Sequence, residues 1–225
     1  MKVQYSIDLS NFSLGRFKEL TQNREMLPSR KILQEKLNDR FAILKSQGVS
    51  NLKELVDALN TKGKLEKFAE QTNLPVDYLT ILKREASSYI SSPVKLKDFP
   101  EIESKYLNKL SKIKIANSKQ LFDNTQTKAE RKAISKSTGI PVDKIKELFC
   151  LSDLVRIWGV GAVFARIIYE AGTQSTKQFA GSDAKQAYNK YIKINEEKGY
   201  TNAKFIQKDI AFCIELAKEL EFVTE

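Results

Sequence analysis

The heptapeptide NLPVDYL at 73–79 returns as GIPVDKI at 139–145, an offset of 66 residues (139 − 73). At the same spacing Val49, Asn51, Leu55 and Leu82 fall on Ile115, Asn117, Leu121 and Leu148. A further copy begins later: Leu96, Phe99, Ile102, Leu110 and Leu121 fall on Leu154, Ile157, Val160, Ile168 and Phe179 at an offset of 58 (154 − 96). Lys53, Lys119 and Lys177 come into register as well. A chain that repeats itself at this period is expected to stack similar units, each burying an apolar face that it could not bury alone. The reading is an N-terminal arm and helix over 1–31, then units at 32–86, 94–150 and 151–225. The run SSYISSP at 87–93 has the small polar residues and proline of a linker. Nothing similar separates the last two units, which are expected to pack as a pair.

Within the units the apolar spacing is helical. Leu52, Leu55, Val56 and Leu59 fall at i, i+3, i+4 and i+7, and Phe205, Ile206, Ile210, Cys213, Ile214, Leu216, Ala217 and Leu220 follow the same rhythm. Punctuation agrees. Asn73 and Gly139 suit a left-handed residue closing one helix, and Pro75 and Pro141 suit the start of the next. Thr127 and Glu130 have the spacing of a capping box. Only Val3, Tyr5, Ile7 and Leu9 alternate, which predicts a short extended arm. The fold class is therefore all-α.

Charge and composition narrow the function. The 225 residues carry 38 Lys and Arg against 28 Asp and Glu, a net charge of +10 that favours encounter with polyanions. No histidine is present, which removes the commonest general base and metal ligand. No nucleophile elbow, phosphate loop, paired-carboxylate motif or zinc spacing occurs, so the expectation is a protein that is not an enzyme and uses no metal or cofactor. Cys150 and Cys213 lie on apolar helical faces and read as buried thiols. The first residues contain no run suited to a signal peptide, and no stretch approaches a membrane span, so a cytoplasmic location off the membrane is expected.

One stretch carries the functional reading. In RIWGVGAVFARI, Arg156 to Ile167, two glycines one residue apart separate a short apolar run from a helix. The series Leu154, Ile157, Trp158, Gly159, Val160, Gly161, Ala165, Ile168, Ala171 and Gly172 resembles a helix-hairpin-helix motif, found in many DNA repair and replication proteins. On that reading Gly159 and Gly161 take backbone angles that a β-carbon resists. Val160 anchors the hairpin, and Ala165 lets two helices approach. The amides of Gly161, Ala162 and Val163 would then open onto a helix N-terminus, a geometry that receives phosphate. The resemblance implies contact with the backbone of nucleic acid rather than its bases. The other units depart from the pattern. At the places of Gly159 and Gly161, unit two has Glu101 and Glu103, and unit one has Glu35 and Leu37. Those bends are expected to be capped by their own carboxylates.

Across nearly its whole length the chain also resembles a bacterial family of helix-hairpin-helix repeats known only as a domain of unknown function. The resemblance is carried by YSIDL (5–9), LPSRKIL (27–33), LTILKREASSY (79–89), PVKLKDFPEI (93–102) and DLVRIWGVGAVFARIIYEAG (153–172). It implies tandem helical repeats and hands over no activity.

The candidate interface comprises Arg156, Trp158, Gly159, Val160, Gly161, Ala162 and Arg166 at the third bend. Lys105, Lys109 and Lys112, at i, i+4 and i+7, add a basic stripe on unit two. Two readings of function remain open at this level. The first is non-enzymatic, sequence-independent binding of duplex DNA through the third hairpin. The second is a scaffold whose helical repeats present faces to a protein partner.

Overall fold

A computed structural model describes residues 2–224, and among them helices are the only regular elements. The chain forms two compact units, one of residues 7–90 and the other of residues 1–6 together with 91–225.

In the 7–90 unit, α1 (Leu14–Asn23) leads through a 3₁₀ turn at Pro28–Leu33 to α2 (Leu37–Ser46), α3 (Leu52–Ala58), α4 (Lys62–Thr72) and α5 (Val76–Ser88). The core gathers Phe12, Phe17, Leu44, Leu52, Leu55, Leu79 and Leu82, with Tyr89 set edge-on to Phe17 at 5.7 Å between ring centres. Glu85 is completely buried there and is held by Arg24 (2.7 Å) and Arg30. Burial of a carboxylate is tolerable only with such pairing.

In the 91–225 unit, a 3₁₀ turn at Leu96–Asp98 precedes α6 (Ser104–Lys112), α7 (Ser118–Thr125), α8 (Lys128–Thr138) and α9 (Val142–Leu154). After them come α10 (Ala162–Glu170), α11 (Thr176–Ala180), α12 (Ala184–Lys198) and α13 (Gln207–Ala217). α7 and α8 pack on α9, and α11 and α12 pack on α13.

Helix boundaries recur at 66 residues between the first two copies and at about 58 residues, give or take two, between the second and third. Asn51, Asn117 and Ser175 each cap a helix by accepting the amide three residues on, at 2.9, 2.9 and 3.2 Å. Thr61, Thr127 and Asp183 cap the next helix in each series. Asn73, Gly139 and Gly199 close those helices in the left-handed region, with φ of 56°, 63° and 65°. The capping box is present: Glu130 N–H donates to Thr127 Oγ1 at 3.1 Å, and Thr127 N–H donates to Glu130 Oε2 at 3.0 Å.

Residues 3–9 form no strand. The backbone bends at Tyr5–Ser6 and turns at Leu9–Ser10. Their alternation is expressed as burial, since Tyr5, Ile7 and Leu9 are inside and Gln4 is outside. Both cysteines are free and buried, and burial pushes the Cys150 thiol up to about 11.

Burial also raises the phenols of Tyr5 and Tyr191 to about 12, and those of Tyr78 and Tyr89 rise from the same cause. A phenol whose pKa is higher in the folded chain favours folding fully below its unfolded pKa, and that contribution disappears as pH climbs through the folded value. Thermal unfolding monitored by circular dichroism is therefore expected to hold steady to about pH 10, the ordinary tyrosine value, and to move to lower temperature between there and about pH 12.

Candidate nucleic-acid interface

After α9 the chain runs through Val155 and Arg156 into the double-glycine bend. Leu154, Ile157, Ala165 and Ile168 are buried, and Val160 is nearly so at 5% exposure, its N–H donating to Ile157 O at 3.1 Å. Val160 thus points inward and pins the bend. Gly159 and Gly161 on either side of it are exposed. The two glycines have different causes. Gly159 sits at φ +81°, and a β-carbon there would lie 3.3 Å from Cys213 Sγ. Gly161 caps α10 with φ −87° and ψ 178°, extended backbone open to any residue, and a β-carbon there would meet nothing within 4 Å. This corrects the expectation that both glycines serve backbone angles. Gly161 leaves the first turn of α10 without a side-chain cap. Ala162 lies just inside at 9% exposure, and Val163 is half-buried. Trp158 is half-buried, edge-on to Phe212 of α13 at 5.2 Å, so its ring fastens the bend to that helix.

Both arginines expected beside the bend are internal, and they are withdrawn from the interface. Arg156 is 0% exposed. Its Nη1 meets Asp153 Oδ1 at 2.5 Å, its Nε donates to Tyr5 O at 2.9 Å, and its Nη2 donates to Gln4 O at 2.9 Å and Glu221 O at 2.8 Å. The guanidinium also lies 4.3 Å above the centre of the Phe122 ring. Asp153 in turn accepts the Thr176 amide at 2.7 Å. Arg166 is 2% exposed, donates from Nε and Nη2 to Pro100 O at 3.1 and 2.9 Å, and pairs with Glu147 at 2.8 Å. A guanidinium buried to this extent and holding three or four partners in the interior is out of reach of a phosphate.

The bends of the earlier segments are not capped by their own carboxylates, again against expectation. Glu101 does take the left-handed conformation of Gly159, with φ +61°. Its carboxylate, however, lies beside the Tyr200 hydroxyl, whose one proton is donated to Glu170 at 2.8 Å. Glu103 starts α6 without capping it and pairs instead with Lys105 at 2.5 Å. The Arg166 bond to Pro100 ties the second bend to α10, while Glu101 and Glu103 themselves stay exposed. In the first segment the left-handed residue is Lys36 (φ +46°), and Glu35 faces Arg40 at 3.6 Å.

The lysine stripe divides. Lys109 Nζ donates to Gly139 O at 3.0 Å and so ties the end of α6 to the end of α8. Lys105 is exposed but paired with Glu103, while Lys112 is exposed on the last turn. The Lys109 tether brings that turn beside the last turn of α8, where Lys136 is exposed, with Lys132 exposed one turn earlier on the same helix. These two were missed in the sequence reading, although a tally by segment finds them. Residues 94–150 carry 13 Lys and Arg against 7 Asp and Glu, whereas 151–225 carry 10 against 10. Of the net +10 the second segment thus supplies +6 and residues 1–93 the other +4, while the third is neutral and contributes an open helix start.

Among the described residues no group of three or more His, Cys, Asp or Glu could hold a metal ion, and no helix is long and apolar enough to cross a membrane. The described residues thus form an all-helical protein in which the start of α10 is exposed and uncapped and the preceding segment is basic. The chain belongs to the family described as Domain of unknown function (DUF4332), which matches residues 100–220. No curated protein and no solved structure matches.

Two consequences can be measured in urea unfolding. Arg156→Met leaves Asp153 short of its cation and three carbonyls without a donor, and should cost about 3–5 kcal/mol. Gly159→Ala should cost about 1–2 kcal/mol because of its left-handed backbone, whereas Gly161→Ala should be nearly neutral.

Proposed function

We propose that this chain is a non-enzymatic, sequence-independent nucleic-acid-binding protein built from tandem helix-hairpin-helix-like repeats. It holds the phosphate backbone of duplex DNA at the start of α10, where the amides of Gly161, Ala162 and Val163 donate to the oxygens of one phosphate. Lys112, Lys132 and Lys136 of the second segment supply the long-range attraction and screen further phosphates. The observation that carries this reading is the exposed Gly161, which leaves the N-terminus of a nine-residue helix with neither side-chain cap nor neighbour. The net charge of +10 supports it. Arg156 and Arg166 have no part in it, and Trp158 and Val160 act by fixing the bend.

Binding to a fluorescent duplex of arbitrary sequence should weaken as salt is added, with log K against log[salt] falling at a slope of about −2 to −4 for two to four neutralised phosphates. Gly161→Glu places a carboxylate at the mouth of the bend without backbone strain, since the site is extended and open. It should lower affinity about tenfold with an unchanged melting temperature. Full affinity in that variant would remove the bend from the contact. An absence of binding at low salt would leave a helical protein-interaction module in its place.

A further inference from the structure

Residues 2–6 lie in the 91–225 unit the way a ligand lies in a receptor. Val3 donates its N–H to Gln126 Oε1 at 2.8 Å and accepts from Gln126 Nε2 at 2.9 Å. One carboxamide therefore satisfies both backbone groups of one residue, as a neighbouring strand would. Arg156 grips the next two carbonyls, Gln4 O and Tyr5 O, each at 2.9 Å. Gln4 N–H reaches Glu221 Oε2 at 3.3 Å, and Lys2 Nζ reaches Asp123 O at 2.5 Å and Glu130 at 2.8 Å.

Side-chain recognition is as definite as backbone recognition. The Tyr5 ring stands edge-on to Phe122 at 5.7 Å in a buried cluster with Phe149 and Cys150, while Val3 packs half-buried against the same cluster. The Tyr5 hydroxyl shares a hydrogen bond of 2.6 Å with Ser118 Oγ at the pocket floor. Ser118 Oγ accepts in turn from the Val94 amide at 2.9 Å. An apolar slot with a polar floor prefers tyrosine over leucine, and the distance between slot and carboxamide fixes Val and Tyr two residues apart. Peptide-reading modules combine backbone pairing with side-chain pockets in this way.

The covalent connection makes this more than ordinary packing. Residues 1–6 belong to the 91–225 unit, but the chain continues at Ile7 into the other one. The occupant is thus tethered to one compact unit and seated in another, an intramolecular ligand whose occupancy depends on effective concentration.

We propose that the groove walled by Ser118, Phe122, Gln126, Phe149, Arg156 and Glu221 is a recognition site for an extended Val-x-Tyr segment, filled in cis by residues 3–5 and able to take the same segment from a second copy of the chain. It stands independently of nucleic-acid binding.

The full-length chain carrying Val3→Gly and Tyr5→Ala empties the groove while leaving its walls intact. A synthetic peptide of residues 2–6 stands in for the second copy's segment. The peptide should raise the melting temperature of this variant by several degrees once well above its dissociation constant. It should leave the wild-type chain unmoved, because that groove is already full. The same peptide with alanine for tyrosine should do nothing. If the variant is unfolded at 25 °C, the readout becomes recovery of helical ellipticity at 222 nm on adding peptide. No stabilisation and no recovery of the variant overturns the proposal. An equal shift in variant and wild type, or an equal effect of the alanine peptide, also overturns it.

Discussion

The fully buried pair of Arg156 and Asp153 is the contact on which the 91–225 unit depends. A guanidinium has five donors in a rigid plane, and here that plane reaches the end of α9, the backbone of residues 4 and 5, and the C-terminal stretch at Glu221. Asp153 carries the connection to the start of α11 through Thr176. Taking both charges out of water is costly, and the geometry offsets that cost only because nearly every donor and acceptor is used. The pair therefore enforces one arrangement of four separate pieces of chain. Loosening any one of them strands a charge.

Three bends at matching places in the sequence make three different sets of contacts. The first is closed with Lys36 in a left-handed conformation and Glu35 turned toward Arg40. The second keeps the left-handed residue, as Glu101, and spends its exposed surface on Arg166 and Tyr200. All three helix starts lack a side-chain cap, and only the third has glycine at the left-handed position and again at the helix cap. The electrostatic preference of a helix N-terminus for anions is the same in all three. What differs is whether another part of the chain has already occupied the approach.

Much of the framework was legible in one dimension. Thr127 with Glu130 announced a helix start because a short polar side chain has one favourable local partner, the amide three residues on. Asn73 and Gly139 announced helix ends because a left-handed backbone favours glycine, and asparagine next, over other residues with a β-carbon. The repeat made the helix-end signal readable twice. The site was less legible. Arg156 and Arg166 looked like phosphate ligands by their nearness to the bend, yet both face inward. Lys109 looked like part of a basic stripe, yet its ammonium caps the carbonyl of Gly139 thirty residues away.

The sequence by itself determined the all-helical class, the positions of the caps and the one bend with glycine at a left-handed position, because those rest on interactions spanning four residues or fewer. Tertiary structure alone decided which cations are spent internally, which bend is left open, and that the first residues are gripped by side chains more than a hundred positions away. The reason is physical: an arginine's role depends on which carbonyls come within 3 Å of it. Local propensity does not specify distances between residues that meet only when the chain closes on itself.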